Sequence, residues 1–288
     1  MTRLPLRCLL PLAACMGLAP ITALHAQTAN GEAAADAETG RPRWEAGVAA
    51  AAGRVADYPG SNRSRSRAIA VPLVIYRGPV LRVDNGGIRG RVFDSPDWQL
   101  ELSATGAFNA RNNDARRGMP DLDYLFGLGP QLVYRGWRDA IGAPTVHLKA
   151  RAIFSTDLHR VQSRGYTVDP ELRWRFRSVA GTPGSWTLSI EPTWASGALQ
   201  RYFYEVDPTQ ATPTRPAYAA RAGYLGTELG LTWSLRSSDT VSWFVGARTM
   251  SLHGAANDES PLLLRKTNLN VGAGLVWTPW QSTARAVD

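Results

Sequence analysis

Cysteine is nearly absent from this chain: only Cys8 and Cys15 occur among its 288 residues. Both lie in residues 1–26, which are predicted to be a secretory signal peptide with cleavage after Ala26, because arginines, an apolar stretch and small residues follow one another there. The mature chain is then expected to contain neither a disulfide nor a thiolate metal site. Residues 12–15 also resemble a lipoprotein acylation box, so lipidation of Cys15 is the alternative.

Long apolar runs are absent as well. After the predicted leader, the best run is 68–76, and Pro72 interrupts it. A membrane-spanning helix needs about 20 apolar residues, so a helical membrane protein is excluded. Inside a bilayer every backbone polar group must be paired, and a closed β-sheet is the only other structure that achieves this.

Histidine is scarce, and no recognisable catalytic motif such as G-x-S-x-G accompanies it. Outside the leader there are three histidines, namely His147, His159 and His253. The sequence therefore predicts no enzyme and no cofactor. Asp114, Asp121 and Asp123 could hold calcium, but their spacing lacks the rest of a calcium loop, so the sequence favours capping or turn roles.

What the sequence does contain is alternation. Between Trp98 and Phe108 every even position is apolar or small, and the odd positions from 99 to 105 are polar. Successive side chains of a strand point to opposite faces, so this segment has one apolar and one polar face, with an aromatic residue at each end. Such a pattern is typical of a strand in a transmembrane barrel.

Repetition distinguishes a barrel from a soluble sandwich, whose half-buried strands also alternate. The same pattern recurs in 145–154, 186–194, 225–235 and 268–277, each of about the 9–11 residues that a tilted strand needs to cross a bilayer, and more briefly in 171–177. The ten tryptophans cluster near segment ends, as in an aromatic belt. We therefore expect an all-β fold, a single antiparallel transmembrane β-barrel of about 12 strands, with a range of about 10–14.

The expected strands are 43–52, 67–77, 79–93, 97–109, 122–136, 144–156, 165–178, 185–195, 199–207, 221–236, 240–252 and 264–278. Residues 84–87 are interpreted as a glycine bulge inside the third strand. The alternative is a hairpin turn there, which would split that strand and change the parity of every later one.

The expected organisation is a signal peptide (1–26), a disordered periplasmic lead-in (27–42), the barrel (43–280) and a C-terminal extension (281–288). With a periplasmic N-terminus, 53–66, 137–143, 205–220 and 253–263 are expected outside the cell. The turns at 77–79, 196–198 and 236–239 are expected in the periplasm. The long segment 110–121 falls on the periplasmic side in this count, where turns should be short.

Charge suggests two candidate surfaces. The net charge of +8 does not indicate nucleic-acid binding, because the arginines are spread along the chain and alternate with glutamates in the strands. Arg63, Arg65 and Arg67 form the densest run and are candidate contacts for lipid phosphate, with a solvated loop as the alternative. The segment 110–121 and its border supply candidate partner contacts: Arg111, Asp114, Arg116, Arg117, Asp121 and Asp123.

The inward charges of opposite sign predict an interior filled by salt bridges. A conducting pore lined by the same charges is the alternative, since about twelve strands lies between a packed barrel and an open porin.

An ordered set of short segments carries a family resemblance. The segments are 58–61 (YPGS), 72–77 (PLVIYR), 85–90 (NGGIRG), 118–123 (GMPDLD), 191–194 (EPTW), 202–203 (YF), 216–218 (PAY) and 260–261 (SP). In this order the chain resembles the MltA-interacting protein family, MipA/OmpV.

The resemblance implies an outer-membrane barrel of a Gram-negative bacterium. It also implies a scaffold that joins a murein lytic transglycosylase to a bifunctional murein synthase, with a small-solute channel or an adhesin as the alternatives. Family barrels tend to end in an aromatic residue, whereas here Trp280 is followed by 281–288.

Overall fold

The computed structural model describes residues 41–77, 81–84, 87–90, 95, 97–137, 142–177 and 179–285. The predicted signal peptide and nearly all of the predicted lead-in lie outside this part of the chain. Within it, no helix is long and apolar enough to cross a membrane. Strands dominate this part of the chain, and the one α-helix among its described residues, α1 (Gly197–Tyr204), is short.

The strands are β1 (Trp44–Ala56), β2 (Ser64–Arg77), β3 (Leu81–Asp84), β4 (Gly87–Gly90), β5 (Trp98–Ala107), β6 (Tyr124–Tyr134), β7 (Thr145–Thr156), β8 (Val161–Arg177), β9 (Ser185–Ala195), β10 (Gly223–Arg236), β11 (Val241–Ser251) and β12 (Thr267–Gln281). Neighbours in the chain pair antiparallel, and β12 pairs with β1, which closes the sheet. The all-β antiparallel architecture expected from the sequence is thus confirmed.

The two faces of the wall follow the alternation. Leu102 points outward and is 38% exposed, whereas its neighbours Glu101 and Ser103 face the interior and are buried. Large apolar side chains cover the outside as well, among them Leu128, Leu148, Leu188, Leu229, Leu231, Val245, Leu269 and Val271. A continuous apolar outer face around a polar interior is the pattern of a barrel that sits in lipid.

Exposed tryptophans ring one end of the wall. They are Trp44, Trp98, Trp137, Trp243, Trp277 and Trp280, all at strand ends or just beyond them on the side where β1 begins. Aromatic rings in such a position sit at the level of lipid head groups. The belt expected from the sequence is therefore present at this end.

Two of the expected strands were wrong. Residues 199–207 do not form a strand, because Leu199 and Phe203 repeat at helical spacing and both are buried on one side of α1. The expected strand 79–93 is split into the hairpin of β3 and β4, which was the alternative at 84–87. Among the residues that the structure describes, the wall thus contains ten long strands and one hairpin of two four-residue strands.

The split changes the side on which the loops between β5 and α1 emerge, and the loss of the expected strand 199–207 restores the expected side after α1. The segments 57–63, 108–123, 157–160, 196–222 and 252–266 all emerge at one end, which we call the loop end. The expected placement of 110–121 among the periplasmic turns is therefore wrong relative to the other loops, as is that of 196–198. Of the segment 137–143, expected among the outer loops, Trp137 and residues 142–143 lie at the opposite end, which we call the turn end, and residues 138–141 lie outside the described part of the chain.

The apolar core sits at the loop end rather than at the barrel centre. Tyr58, Leu122, Phe203, Tyr204 and Leu262 are buried together there, although each comes from a loop or from α1. The loops thus pack into a folded structure, which we call the cap. Leu225, expected to face lipid, joins this core because a bulge between Tyr224 and Gly226 shifts the register.

Candidate functional site

The interior of the barrel is filled by paired charges. Lys149 on β7 is 1% exposed, and its Nζ lies 2.7 Å from Glu171 on β8 and 3.0 Å from Glu191 on β9. Arg173 bonds the same Glu171 carboxylate at 2.7 Å. Adjacent strands place these residues side by side on the inner face, because odd-numbered positions of β7, β8 and β9 point inward.

A second pair extends the network towards the loop end. The Arg151 guanidinium lies 3.1 Å from Asp169 and donates at 2.9 Å to the Ser103 hydroxyl on β5, which is separated from β7 by β6. Thr167 donates to the same Asp169 carboxylate at 2.8 Å. The aspartate is thus held by a cation and a hydroxyl, which is what a buried carboxylate requires.

A third group lies towards the turn end. Glu101 on β5 accepts from Gln131 at 2.9 Å and from Arg135 at 3.2 Å. Gln131 in turn contacts Nδ1 of His147 at 3.1 Å, and His147 contacts the Thr145 hydroxyl at 2.9 Å. His147 is therefore a member of a structural hydrogen-bond network, with no serine or cysteine among these contacts.

These contacts confirm the expectation of an interior held by salt bridges. Ion pairs in a low-dielectric interior persist only when each charge has partners of good geometry, and removing one partner is costly. Long side chains of opposite sign occupy the space that an open channel would need. Geometry therefore favours a filled barrel over a wide conducting one.

A cavity of about 240 Å³ remains between the charged interior and the cap. Its charged wall comes from strand residues such as Arg151, Glu191 and Glu228, and its apolar wall comes from residues such as Leu199 and Phe203 of α1. Arg248 also lines it and bonds Glu228 at 2.5 Å. The cavity lies under the cap and is partly open to its surroundings.

Buried arginines tie the cap together. The Arg116 guanidinium donates to the Phe203 carbonyl at 2.9 Å, linking the segment 108–123 to α1. Arg215 donates to the carbonyls of Ala115 at 2.9 Å and Gln210 at 2.7 Å. Burial lowers the pKa of Arg116 from its usual value, although the nearby Tyr58 phenol acts in the opposite direction. Each cation bridges loops that are far apart in the chain.

Two buried tyrosines anchor the cap to the β1–β2 loop. The Tyr58 hydroxyl donates to the Leu262 carbonyl at 2.9 Å, and the Tyr204 hydroxyl donates to the Pro59 carbonyl at 2.9 Å. Burial raises the pKa of Tyr58 to about 12, with Arg116 opposing the shift. Burial raises the pKa of Tyr204 as well. Both phenols are therefore neutral donors at physiological pH.

The six candidate contact residues separate into two groups. Arg111, Asp114, Arg117 and Asp121 are exposed at the loop end. Arg116 is 8% exposed and its guanidinium bonds the Phe203 carbonyl inside the cap, so its expected role as a surface contact is wrong. Asp123 is half-buried, and its backbone N–H donates to the Tyr202 hydroxyl at 2.7 Å. Their role in partner binding stays a prediction.

The arginine run also has an unexpected position. Arg65 and Arg67 lie on the inward face of β2, so their expected contact with lipid phosphate is wrong. Arg65 pairs with Asp57 at 2.9 Å, and Arg67 donates to the Asn109 carbonyl at 2.8 Å. Arg63 is exposed and lies 3.6 Å from Asp114. β2 begins at Ser64, three residues before the expected start, so Arg65 and Arg67 both belong to the strand and point into the barrel.

The aspartates considered for calcium have turn roles instead. Asp121 accepts from the backbone N–H of Asn112 at 3.2 Å, and Asp114 pairs with Arg117 at 2.9 Å. In the part of the chain that the structure describes, no cluster of metal-ligating side chains is found. Asp57, Asn113 and Asn257, which bond across the cap, were missed because their partners are distant in sequence.

Comparison with known proteins adds family information. A family model described as MltA-interacting protein MipA matches residues 47–279, which is nearly the whole barrel. Among solved structures, the crystal structure of Acinetobacter baumannii CarO2 is similar at 10% identity and a TM-score of 0.21, covering 82% of this chain and 98% of that one. No curated protein matches.

Proposed function

The chain belongs to the MltA-interacting protein MipA family, and from this premise we propose that it is an outer-membrane barrel acting as a binding platform. Its partners in this proposal are a murein lytic transglycosylase and a bifunctional murein synthase, joined at the periplasmic face. The protein performs no catalysis and needs no cofactor. The platform role requires a rigid barrel with folded surfaces at its ends.

The observation that carries the proposal is the filled interior. Lys149, Glu171 and Arg173 form one buried ionic group across β7 and β8, and the cap covers the barrel above them. A barrel filled in this way is expected to conduct little, so its contribution to the cell would come from its surfaces. Planar-bilayer recordings should then show no steady current.

The turn end is the proposed docking face. Bacterial barrels have short periplasmic turns and longer outer loops, which assigns the turn end to the periplasm. Among its described residues, exposed arginines outnumber exposed acidic residues: the arginines are Arg43, Arg177, Arg236 and Arg285, and the acidic residue is Asp239. Such charges raise encounter rates and select acidic partners. This face replaces the segment 110–121 as the proposed site for murein enzymes.

In-cell photo-crosslinking tests both sidedness and partners. A photoreactive amino acid at Ser238 lies in an exposed turn at the turn end, and one at Arg117 lies in an exposed loop at the loop end. We expect Ser238 to capture murein enzymes and Arg117 to capture none. Capture from Arg117 alone would overturn the docking face, and capture from neither would overturn the scaffold.

An adhesin is the second candidate, and the cap favours it. Loops in the cap share an apolar core and buried hydrogen bonds, so the loop end presents a defined surface rather than free chains. A fixed surface lowers the entropic cost of binding. Adhesion of cells that carry the intact protein, compared with cells that carry a variant without 112–117, measures this function directly.

A further inference from the structure

The cavity under the cap has walls of two kinds. Its volume is about 240 Å³, and every residue that lines it belongs to the described part of the chain. The floor, towards the barrel centre, carries charged side chains, whereas the side towards the cap is apolar, with Leu122, Leu199, Phe203 and Leu225. Pockets that bind small molecules share this composition, because apolar walls supply contact area and a few polar groups fix the orientation of the ligand.

Five consecutive strands of the wall, β7 to β11, contribute one charged side chain each to the floor. These residues are Arg151, Asp169, Glu191, Glu228 and Arg248. All five are held by the paired sheet rather than by the loops of the cap. A site built on strands is positioned more precisely than a site built on loops.

The three floor carboxylates use one oxygen each in the contacts that hold them. Both hydrogen bonds to Asp169 reach Oδ2, and the two cations nearest Glu191 both lie against its Oε1. Arg248 donates to Oε1 of Glu228. Within the described part of the chain, the second oxygen of each carboxylate accepts no hydrogen bond. A carboxylate has about four acceptor sites, so the floor keeps unused acceptors beside the cavity.

Two of these carboxylates face each other. Glu191 on β9 and Glu228 on β10 are directly opposed in the sheet register. Like charges at opposed positions of neighbouring strands destabilise the pair. The Glu228 side chain is 25% exposed although it points into the barrel, because it borders the cavity. A positively charged group in the cavity, next to both carboxylates, would therefore offset their repulsion.

Arg248 offers the opposite contact on the same floor. Its guanidinium donates to Glu228 through Nη1, and its other N–H groups make no hydrogen bond with the residues that the structure describes. Its side chain is 17% exposed and lines the cavity. A guanidinium has five N–H donors arranged to pair with a carboxylate. An anionic and a cationic group could thus bind side by side along the Glu228–Arg248 pair.

Charge balance decides the class of ligand. The three floor carboxylates are matched by three cations that contact them, which are Lys149, Arg151 and Arg248. The remaining acidic residues of the wall are Asp57, which pairs with Arg65 at 2.9 Å, and the half-buried Asp123. A ligand with a net charge would leave a charge uncompensated on this balanced floor, which is costly away from water. A zwitterion adds both signs and keeps the balance.

We propose that this cavity binds a zwitterionic amino acid with an apolar side chain. Its ammonium group contacts Glu191 and Glu228, its carboxylate contacts Arg248, and its side chain packs against Phe203 and Leu225. The volume lies below the roughly 300–1,000 Å³ of drug-sized pockets, so a single amino acid fits and a longer peptide does not. The site is independent of the proposed docking face, which lies at the turn end.

Equilibrium binding of matched analogues tests the class of ligand. Calorimetric titration uses the folded full-length mature protein in lipid nanodiscs, with empty nanodiscs as the blank. The ligands are L-phenylalanine, 2-phenylethylamine, 3-phenylpropanoate and glycine, so that each analogue lacks the carboxylate, the ammonium group or the apolar side chain. We expect L-phenylalanine to bind, and each analogue to bind at least about tenfold more weakly.

Three results of this titration would overturn the proposal. Binding of the amine as tight as that of L-phenylalanine would show a cation site, and equal binding of the propanoate would show an anion site. Binding of neither L-phenylalanine nor L-leucine would show that the cavity takes no apolar amino acid.

Glu228→Gln tests the ammonium contact. It should weaken binding of L-phenylalanine about tenfold and leave the weak binding of 3-phenylpropanoate unchanged, because only the amino acid has an ammonium group. Asp258→Asn is the matched control, since Asp258 pairs with Lys266 at 2.9 Å but does not line the cavity. An equal loss in the control, or an equal loss for both ligands, would overturn the assignment. If Glu228→Gln does not fold, the analogue series on the parent protein decides.

A steric variant tests the location. Ala107 lines the cavity from β5, whereas Ala104 on the same strand is exposed on the outer face. Ala107→Phe should abolish binding of L-phenylalanine, and Ala104→Phe should not change it. If Ala107→Phe does not fold, Thr193→Phe fills the same cavity from β9. Undiminished binding in the folded cavity variant would overturn the site. None of these measurements depends on capture of murein enzymes.

Discussion

Lys149→Met is the most informative single substitution for the sealed interior. Lys149 is 1% exposed and bonds two carboxylates, Glu171 at 2.7 Å and Glu191 at 3.0 Å. Removing one member of a buried ion pair typically costs about 3–5 kcal/mol, because the remaining charge is left without a partner. Here Glu171 keeps Arg173 at 2.7 Å, and Glu191 keeps only a longer contact with Arg151 at 3.8 Å.

The expected loss in the free energy of unfolding is therefore about 3 kcal/mol, at the lower end of that range. Reversible denaturant unfolding in lipid vesicles measures it. Lys266→Met is the control, because Lys266 pairs with Asp258 at a similar distance, 2.9 Å, but its side chain is 45% exposed. Exposed pairs contribute little, so this variant should be nearly as stable as the parent.

The double variant Lys149→Met, Glu191→Gln should recover part of the loss, since it removes the less well paired carboxylate. A loss for Lys149→Met no larger than that for Lys266→Met would refute the reasoning. It would mean that water solvates the interior charges. The barrel would then resemble a hydrated channel, and a steady current in planar bilayers should accompany that result.

Three further predictions concern the cap and the wall. Arg116→Ala should leave the barrel folded but speed protease cleavage of the loops, because its bond to the Phe203 carbonyl is lost; Arg117→Ala, whose side chain is 82% exposed, should not. The folded-state pKa of Tyr58, about 12, exceeds the ordinary tyrosine value of 10.0, so the stability from its neutral phenol is full below pH 10 and is lost as pH rises through about 12. After alkaline incubation, protease should cleave the loops of the parent protein faster as the pH rises through about 12. In Tyr58→Phe the cleavage rate should stay constant over this range, and an increase there would contradict the prediction. In single-cysteine variants, Leu102→Cys should react with a lipid-soluble maleimide and Ser103→Cys should not; equal reaction would argue against the assigned facing.

The sequence alone was sufficient to predict the wall of this protein. Period-two alternation reports which side chains share a face, so Leu102 and Glu101 could be assigned to opposite sides without coordinates. The inward charges of β7, β8 and β9 likewise predicted salt bridges, because neighbouring strands must bring such positions together. In these segments the alternation involves residues that are adjacent in the chain, so the sequence alone shows which side chains will share a face of the strand.

Only the tertiary structure decided the ends of the barrel. Whether 84–87 bends into a hairpin depends on how β3 and β4 pair with each other and with β2 and β5. That choice reverses the side on which the loop 108–123 emerges, and α1, which replaces the expected strand 199–207, restores the expected side for the loops after it. The partners of Arg67 and Arg116 are backbone carbonyls, and because every residue has a carbonyl, the sequence does not indicate which one an arginine will bond. Helix α1 formed where a strand was expected, because Leu199 and Phe203 pack against loops that only the closed barrel brings together. Contacts between segments far apart in the chain therefore set the cap and the cavity beneath it, whereas residue alternation set the wall.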